Sequence, residues 1–317
     1  LWIAAFRNWL RGIRNYLYLK FMKKTFADQG EILIFSEARS GSTWLMEILS
    51  QLPKTVTNWE PLHQNFGTIP KKLNWGWRPF IPFSDRNPLF VKIIEDSLSL
   101  STFTPWTVQF NSLTQLREGE IVITKFVRAN MLLPWFLKRI SLKRKPILLL
   151  RHPIDTCLSQ VNTFDKGKDI NIPNWINNER FITHHSFLNT LETKLEIRLA
   201  NWCINNVSVV QNKEVLRDVI PVFYEDLLRD PKKELNRILK ELEIDTDAKN
   251  LLKNIKKGSY TDFQKTYLED SEQQLEKRIL QLDEQTKERI QRIFDHFGLT
   301  IYNAYSPISS KKNINLA

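Results

Sequence analysis

Short apolar runs of strand length alternate along the chain with longer segments whose apolar residues recur at three-to-four spacing. The runs at 32–36, 121–125, 147–151 and 219–224 predict strands, and the longer segments at 42–52, 153–163, 191–211, 232–242 and 272–297 predict helices. A series of this kind predicts an α/β fold in three layers, with a central, mainly parallel sheet flanked by helices. Between 58 and 107 no clean period survives among the Pro, Asn and aromatic residues, so a long irregular insertion over the sheet edge is expected there.

The first twenty residues read differently. Trp2, Phe6, Trp9, Ile13 and Tyr16 recur at helical spacing while Arg7, Arg11, Arg14 and Lys20 occupy other faces, which predicts a basic amphipathic helix. Two readings stay open for it: an interfacial anchor on an anionic membrane surface through residues 1–20, or a helix packed on the domain. The expected organisation is therefore an N-terminal helix over 1–26, one domain over 27–305 with the insertion at about 58–107, and a polar tail over 306–317.

Composition narrows the class. With 317 residues, 42% hydrophobic and 26% charged, the chain is expected to bury a sizeable core rather than stay disordered. The net charge of +11 predicts an anionic partner without choosing among nucleotide phosphates, nucleic acid, glycans and lipid headgroups. Only Cys157 and Cys203 are present, without C-x-x-C or a His/Cys cluster, so neither a disulfide framework nor a zinc site is expected. No stretch of about 18 apolar residues suggests a membrane span.

The chemistry begins in EILIFSEARSGSTWLMEIL, where a strand runs through Arg39, Ser40, Gly41, Ser42 and Thr43 into a helix. Free first-turn N–H groups, the helix dipole and two hydroxyls would converge there on a phosphate, with Gly41 allowing close approach and Arg39 adding charge. An ordinary helix capped by Ser42 is the plainer alternative. The loop is P-loop-like, yet no Lys precedes Ser42 or Thr43, which disfavours a Mg-ATP site. A second strand-to-helix turn, PILLLRHPIDTCLSQ, holds Arg151 and Ser159 eight residues apart, able to reach one phosphate together.

RSGSTWL after a strand resembles the 5′-phosphosulfate loop of sulfotransferases that use PAPS (3′-phosphoadenosine 5′-phosphosulfate), and the leading Arg is closest to the carbohydrate-modifying branch. The Arg151 segment is similar to that family's 3′-phosphate site. IVITKFVRANMLLPW looks like its strand-borne Lys-x-x-Arg, supplying Lys125 and Arg128; VFYEDLLRDPKKEL resembles its Tyr-Glu-Asp-Leu segment and places Tyr224 near the nucleotide. IKKGSYTDF is similar to a 3′-phosphate-gripping loop, which would give Lys256, Lys257 and Gly258 that role, although Lys-Lys-Gly is also a common helix end.

The resemblance implies in-line sulfuryl transfer from PAPS, with PAP as product and no metal. It implies Glu60, in NWEPLH a helix and a short strand after the loop, as the base, with His63 the second candidate. Arg39 and Lys125 would stabilise the leaving group, and Trp44 would stack on the adenine. Trp59, Trp75 and Trp77 would line an acceptor groove or form the core of the insertion. His152, His184 and His185 are expected to be solvated or structural. The expected acceptor is a glycan or another hydroxyl-bearing small molecule, not nucleic acid; the expected compartment is cytoplasmic, peripheral at a membrane, with the Golgi lumen as the alternative for an N-terminally truncated eukaryotic chain. Two other classes stay open: a nucleotide-dependent phosphotransferase and a non-catalytic basic polyanion-binding protein.

Overall fold

The computed structural model describes residues 2–24, 26, 30–73, 75–165, 179–254 and 278–310. Its elements, in chain order, are α1 (Trp2–Met22), β1 (Glu31–Ser36), α2 (Ser42–Leu49), β2 (Thr55–Trp59), α3 (Pro88–Leu98), β3 (Ile121–Phe126), β4 (Ile147–Leu150), α4 (Pro153–Phe164), α5 (Lys194–Val210), β5 (Ile220–Phe223), α6 (Tyr224–Arg229), α7 (Pro231–Glu241) and α8 (Glu284–Phe297), with shorter helices between some of them.

The strands pair in the order β2-β3-β1-β4-β5, and every pairing is parallel. Alternation along the strands divides the core. Leu33 and Phe35 of β1 face one layer, shared with residues of α4, α5 and α8; Ile32 and Ile34 face the other, shared with α2 and α7. This is the three-layer α/β architecture expected from the strand-helix series. The connection leaving β1 runs towards β2 while that leaving β4 runs towards β5, so the crevice beside the C-terminal ends of β1 and β4 is the switch point where such sheets bind ligands.

Several expected boundaries shift for local reasons. The first helix after β1 ends at Leu49, not 52, and the helix expected over 191–211 starts at Lys194 because Thr193 and Glu196 form a capping box. The stretch expected as one helix over 272–297 is interrupted: its described part turns at 281–282, and Asp283 caps a new helix by accepting from the Thr286 N–H. The insertion is not wholly irregular either. It contains α3, begun by Asn87 as N-cap with Pro88 at the first position, and a short 3₁₀ turn, Lys71–Leu73.

The N-terminal helix is packed on the domain by one face. Asn15 is buried and its Nδ2 donates to the carbonyls of Val108 and Asn111, each at 2.8 Å. Leu19 joins Val56, Val108, Leu116 and Val122 in a small core. Contact is so close at Gly12 that a Cβ there would lie 2.3 Å from the Pro105 carbonyl oxygen.

Candidate functional site

Each strand contributes at its C-terminal end: the 37–41 loop from β1, Glu60 after β2, Lys125 from β3, Arg151 after β4 and Tyr224 after β5. The loop is held by turns of its own. Ser40 Oγ donates to the Glu37 carbonyl at 2.6 Å, so this hydroxyl braces the loop from within. Arg39 and Gly41 both take positive φ, 71° and 91°. Gly41, not Ser42, occupies the N-cap of α2 and supplies no side-chain cap, so the simple Ser-capped helix does not account for the loop. The first-turn N–H groups therefore stand without intrahelical acceptors, as an anion site requires.

Gly41 is fixed by a neighbour as well as by its backbone. A Cβ there would lie 2.5 Å from the Tyr224 ring, which in turn stacks under the Arg151 guanidinium at 4.5 Å. Gly41→Ala is expected to displace Tyr224 or the loop, costing about 1–3 kcal/mol in backbone strain alone. The check is a lowered melting temperature together with a loss of nucleotide affinity.

The two expected phosphate segments meet. Arg39 Nε donates to Ser159 Oγ at 3.0 Å, and Arg151 Nη1 donates to the Arg39 carbonyl at 3.2 Å. Gln160, one residue on, braces the same loop by donating to the Ala38 carbonyl at 2.8 Å. Arg39 was expected beside Lys125 at the leaving group; it is bonded instead to the Arg151–Ser159 side. Trp44 lies in the core, 5.7 Å from Tyr224 and edge-on to it, and its Nε1–H has no partner among the described residues. A close-approach glycine and two arginines beside the first-turn amides of α2 fit a phosphate-bearing ligand. Lys256, Lys257 and Gly258 lie outside the described residues.

A second cluster sits on the β2–β3 side. Glu60 is buried, precedes Pro61 and takes φ 41°, an unfavourable conformation for a residue with a side chain and one typical of functional turns. Lys125 Nζ lies 3.1 Å from its Oε1, and Arg128 Nη1 2.5 Å from its Oε2. Burial pushes the Glu60 carboxyl up, but Lys125 and Arg128 outweigh it and hold the group below the ordinary carboxylate value. Lys125 also donates to Thr43 Oγ1 at 3.2 Å, which ties this cluster to the first turn of α2, and its Nζ stands 3.3 Å over the Trp59 ring. Burial lowers the Lys125 pKa, with Glu60 opposing.

His63 sits beside them among the rings of Phe66, Trp77 and Trp106. Its Nδ1 accepts from the Asn65 N–H at 3.2 Å, and burial and Arg128 lower its pKa. A lowered pKa disfavours the protonated ring, which makes His63 a weaker proton acceptor than a free imidazole. Of the insertion's tryptophans, Trp59 is core, Trp77 underlies Arg128 at 4.1 Å, and Trp75 lines a cleft of about 190 Å³ with Leu62, Gln64, Asn65, Lys71 and Pro79.

Three acidic groups are tied into the site by partners distant in the chain or buried beside it. Glu37 accepts from both terminal nitrogens of Arg78, at 2.7 and 2.8 Å, and so fastens the insertion to the phosphate loop. A lone acid at a strand end gave no signal of that partner. Asp155 lies 3.6 Å from Arg151. Glu225 is buried, accepting from the His152 N–H at 2.6 Å and from the Tyr302 hydroxyl at 3.3 Å. His152 is structural: it caps α4, and burial lowers its pKa to about 3. His184 contacts His296 at 3.0 Å, remote in sequence from any residue of the loop.

Burial raises the Glu225 pKa from 4.5 to about 7. A carboxyl raised on folding binds more protons in the folded than in the unfolded state, so its contribution to stability falls as pH rises. Relative to Glu225→Gln, the wild-type protein should lose stability between pH 4.5 and about 7, measured by urea unfolding across that window. Parallel pH profiles for the two proteins would contradict this.

Residues 29–296 match the family model described as the sulfotransferase domain. No curated protein matches the chain. Among solved structures it is similar to the sulfotransferase domain of the Synechococcus PCC 7002 olefin synthase, at 19% identity over 85% of this chain and 94% of that one, TM-score 0.46. It is also similar to the sulfotransferase domain of the curacin biosynthetic pathway, at 16% identity over 85% and 97%, TM-score 0.45. A mouse sulfotransferase solved in complex with PAP matches at 16% identity over 71% of this chain and 62% of that one, TM-score 0.35.

Proposed function

Because the chain belongs to the sulfotransferase domain family and is thereby a PAPS-dependent sulfotransferase, we propose that it sulfates a carbohydrate hydroxyl, with Glu60 as the base. The observation that carries the choice of base is the Glu60 cluster: an ionised carboxylate fixed between two cations, one of which, Lys125, also reaches the phosphate loop through Thr43.

The donor supplies an activated sulfuryl group. Glu60 takes the proton of the acceptor hydroxyl as the new oxygen–sulfur bond forms and the bond from sulfur to the departing phosphate breaks. Lys125, with the α2 amides, balances charge growing on the sulfuryl and bridging oxygens. Arg39, Arg151 and Ser159 hold the 3′-phosphate, and Tyr224 and Trp44 the adenosine, so that the sulfur stands in line. Arg128 keeps Glu60 ionised and oriented. Its pairing with Trp77 leaves that ring as a wall of the acceptor side.

A carbohydrate acceptor is supported by the cleft next to Leu62, whose indole face and side-chain amides are the groups that recognise sugar rings. The buried thiols of Cys157 and Cys203 suit a reducing, cytoplasmic setting. Radiolabelled sulfuryl transfer from PAPS to a panel of glycans, simple alcohols and amines tests the acceptor class. Transfer confined to glycans is expected; transfer only to amines or to small alcohols would overturn the reading.

A further inference from the structure

The domain-facing side of α1 is narrow. Among the described residues its buried positions are Asn8, Gly12, Asn15 and Leu19, spaced by four, three and four residues. The opposite side is apolar and open: Phe6, Trp9, Leu10, Leu17 and Phe21 are between 47% and 85% exposed. At 3.6 residues per turn, Phe6, Leu10, Leu17 and Phe21 fall within an arc of about 60°. Exposed Arg7 and Arg14 border that arc on one side and Trp9 and Lys20 on the other. A helix bound to its own domain through Asn15, Gly12 and Leu19 has no folding reason to carry large apolar side chains on its outer face as well.

We infer that this outer face of α1 docks on an anionic lipid bilayer, lying in the interface plane with the domain behind it. The chemistry matches on both counts: the apolar stripe enters the acyl boundary while the bordering cations meet acidic headgroups. The arginines decide between a bilayer and a second copy of this chain, since two such helices face to face would set like charges together. Docking also fixes an orientation. Gly12 rests on Pro105, and neighbouring Trp106 packs against Trp59 and His63, so lipid on the outer face lies roughly one helix diameter, about 10 Å, from the segment that packs on His63.

The test is co-sedimentation of the full chain with vesicles of phosphatidylcholine alone and of phosphatidylcholine with about one third phosphatidylglycerol. Partitioning onto the anionic vesicles at least tenfold above the neutral ones is expected. Leu10→Asp/Leu17→Asp should abolish it, and each of Arg7→Gln and Arg14→Gln should weaken it by about fivefold. PAP titration of the same variants shows that they are folded, and its loss in the wild type would count against the donor site alone. Equal sedimentation of wild type and the Asp variant, equal binding to both vesicle types, or a dimer in analytical ultracentrifugation that the Asp variant dissolves would each overturn the inference.

Discussion

Glu60→Gln should reduce sulfuryl transfer by about two orders of magnitude or more while PAP binds as tightly as to the wild type. The amide keeps the shape, and with it much of the hydrogen bonding to Lys125 and Arg128, but removes the proton acceptor. The site offers few replacements. His63 is the second candidate, and burial and Arg128 disfavour its protonated form. The wild-type pH profile should agree: with the Glu60 carboxyl held below its ordinary value, the acid limb of turnover should lie below about pH 4.5, with a plateau through neutrality. Steady-state turnover and PAP calorimetry on the same preparation check both halves. Full turnover in the variant would move the base elsewhere.

Arg151→Ala should act in the opposite sense, weakening PAP binding by roughly 10- to 100-fold, the range expected for losing a charge-assisted contact to a phosphate. Three consequences converge on one substitution. The 3′-phosphate loses a cation, the Arg39 carbonyl loses a donor, and the Tyr224 ring loses the guanidinium stacked on it. Buried Asp155 is left with its Arg151 partner gone; burial already raises its carboxyl pKa, and loss of that cation raises it further. Binding of ADP, which lacks the 3′-phosphate, should fall much less, and this difference separates a lost phosphate contact from a general collapse of the loop. A parallel loss for PAP and ADP would assign Arg151 a scaffolding role.

The parts of this site that were legible in the sequence are those encoded by short spacing. Gly41 follows a strand and opens a helix, Arg151 and Ser159 span one strand-to-helix turn, and Tyr224 ends a strand; each is set by local chain geometry, which periodicity reports. The sheet was legible for the same reason, since four of its apolar runs are long enough to stand out. What escaped is tertiary. The Arg39–Ser159 contact joins residues 120 apart in sequence, and Glu37–Arg78 joins residues 41 apart, so no window contains either pair. Helix α3 was hidden because its signal, an Asn-Pro cap, sits in a stretch crowded with other prolines and aromatics. The N-terminal helix shows the limit most clearly. Its amphipathicity was plain, yet the face that binds the domain includes Asn15 and Gly12 beside Leu19, because Asn15 and Gly12 match the carbonyls of the 105–111 segment.

Calorimetric titration of the wild-type chain with PAP, and with ADP and AMP as controls, in buffer without magnesium, bears most directly on the donor site. Tighter binding of PAP than of ADP by tenfold or more is expected from the junction of Arg39, Arg151 and Ser159. Equal affinity for the two, or a requirement for magnesium, would contradict a site built to read the 3′-phosphate.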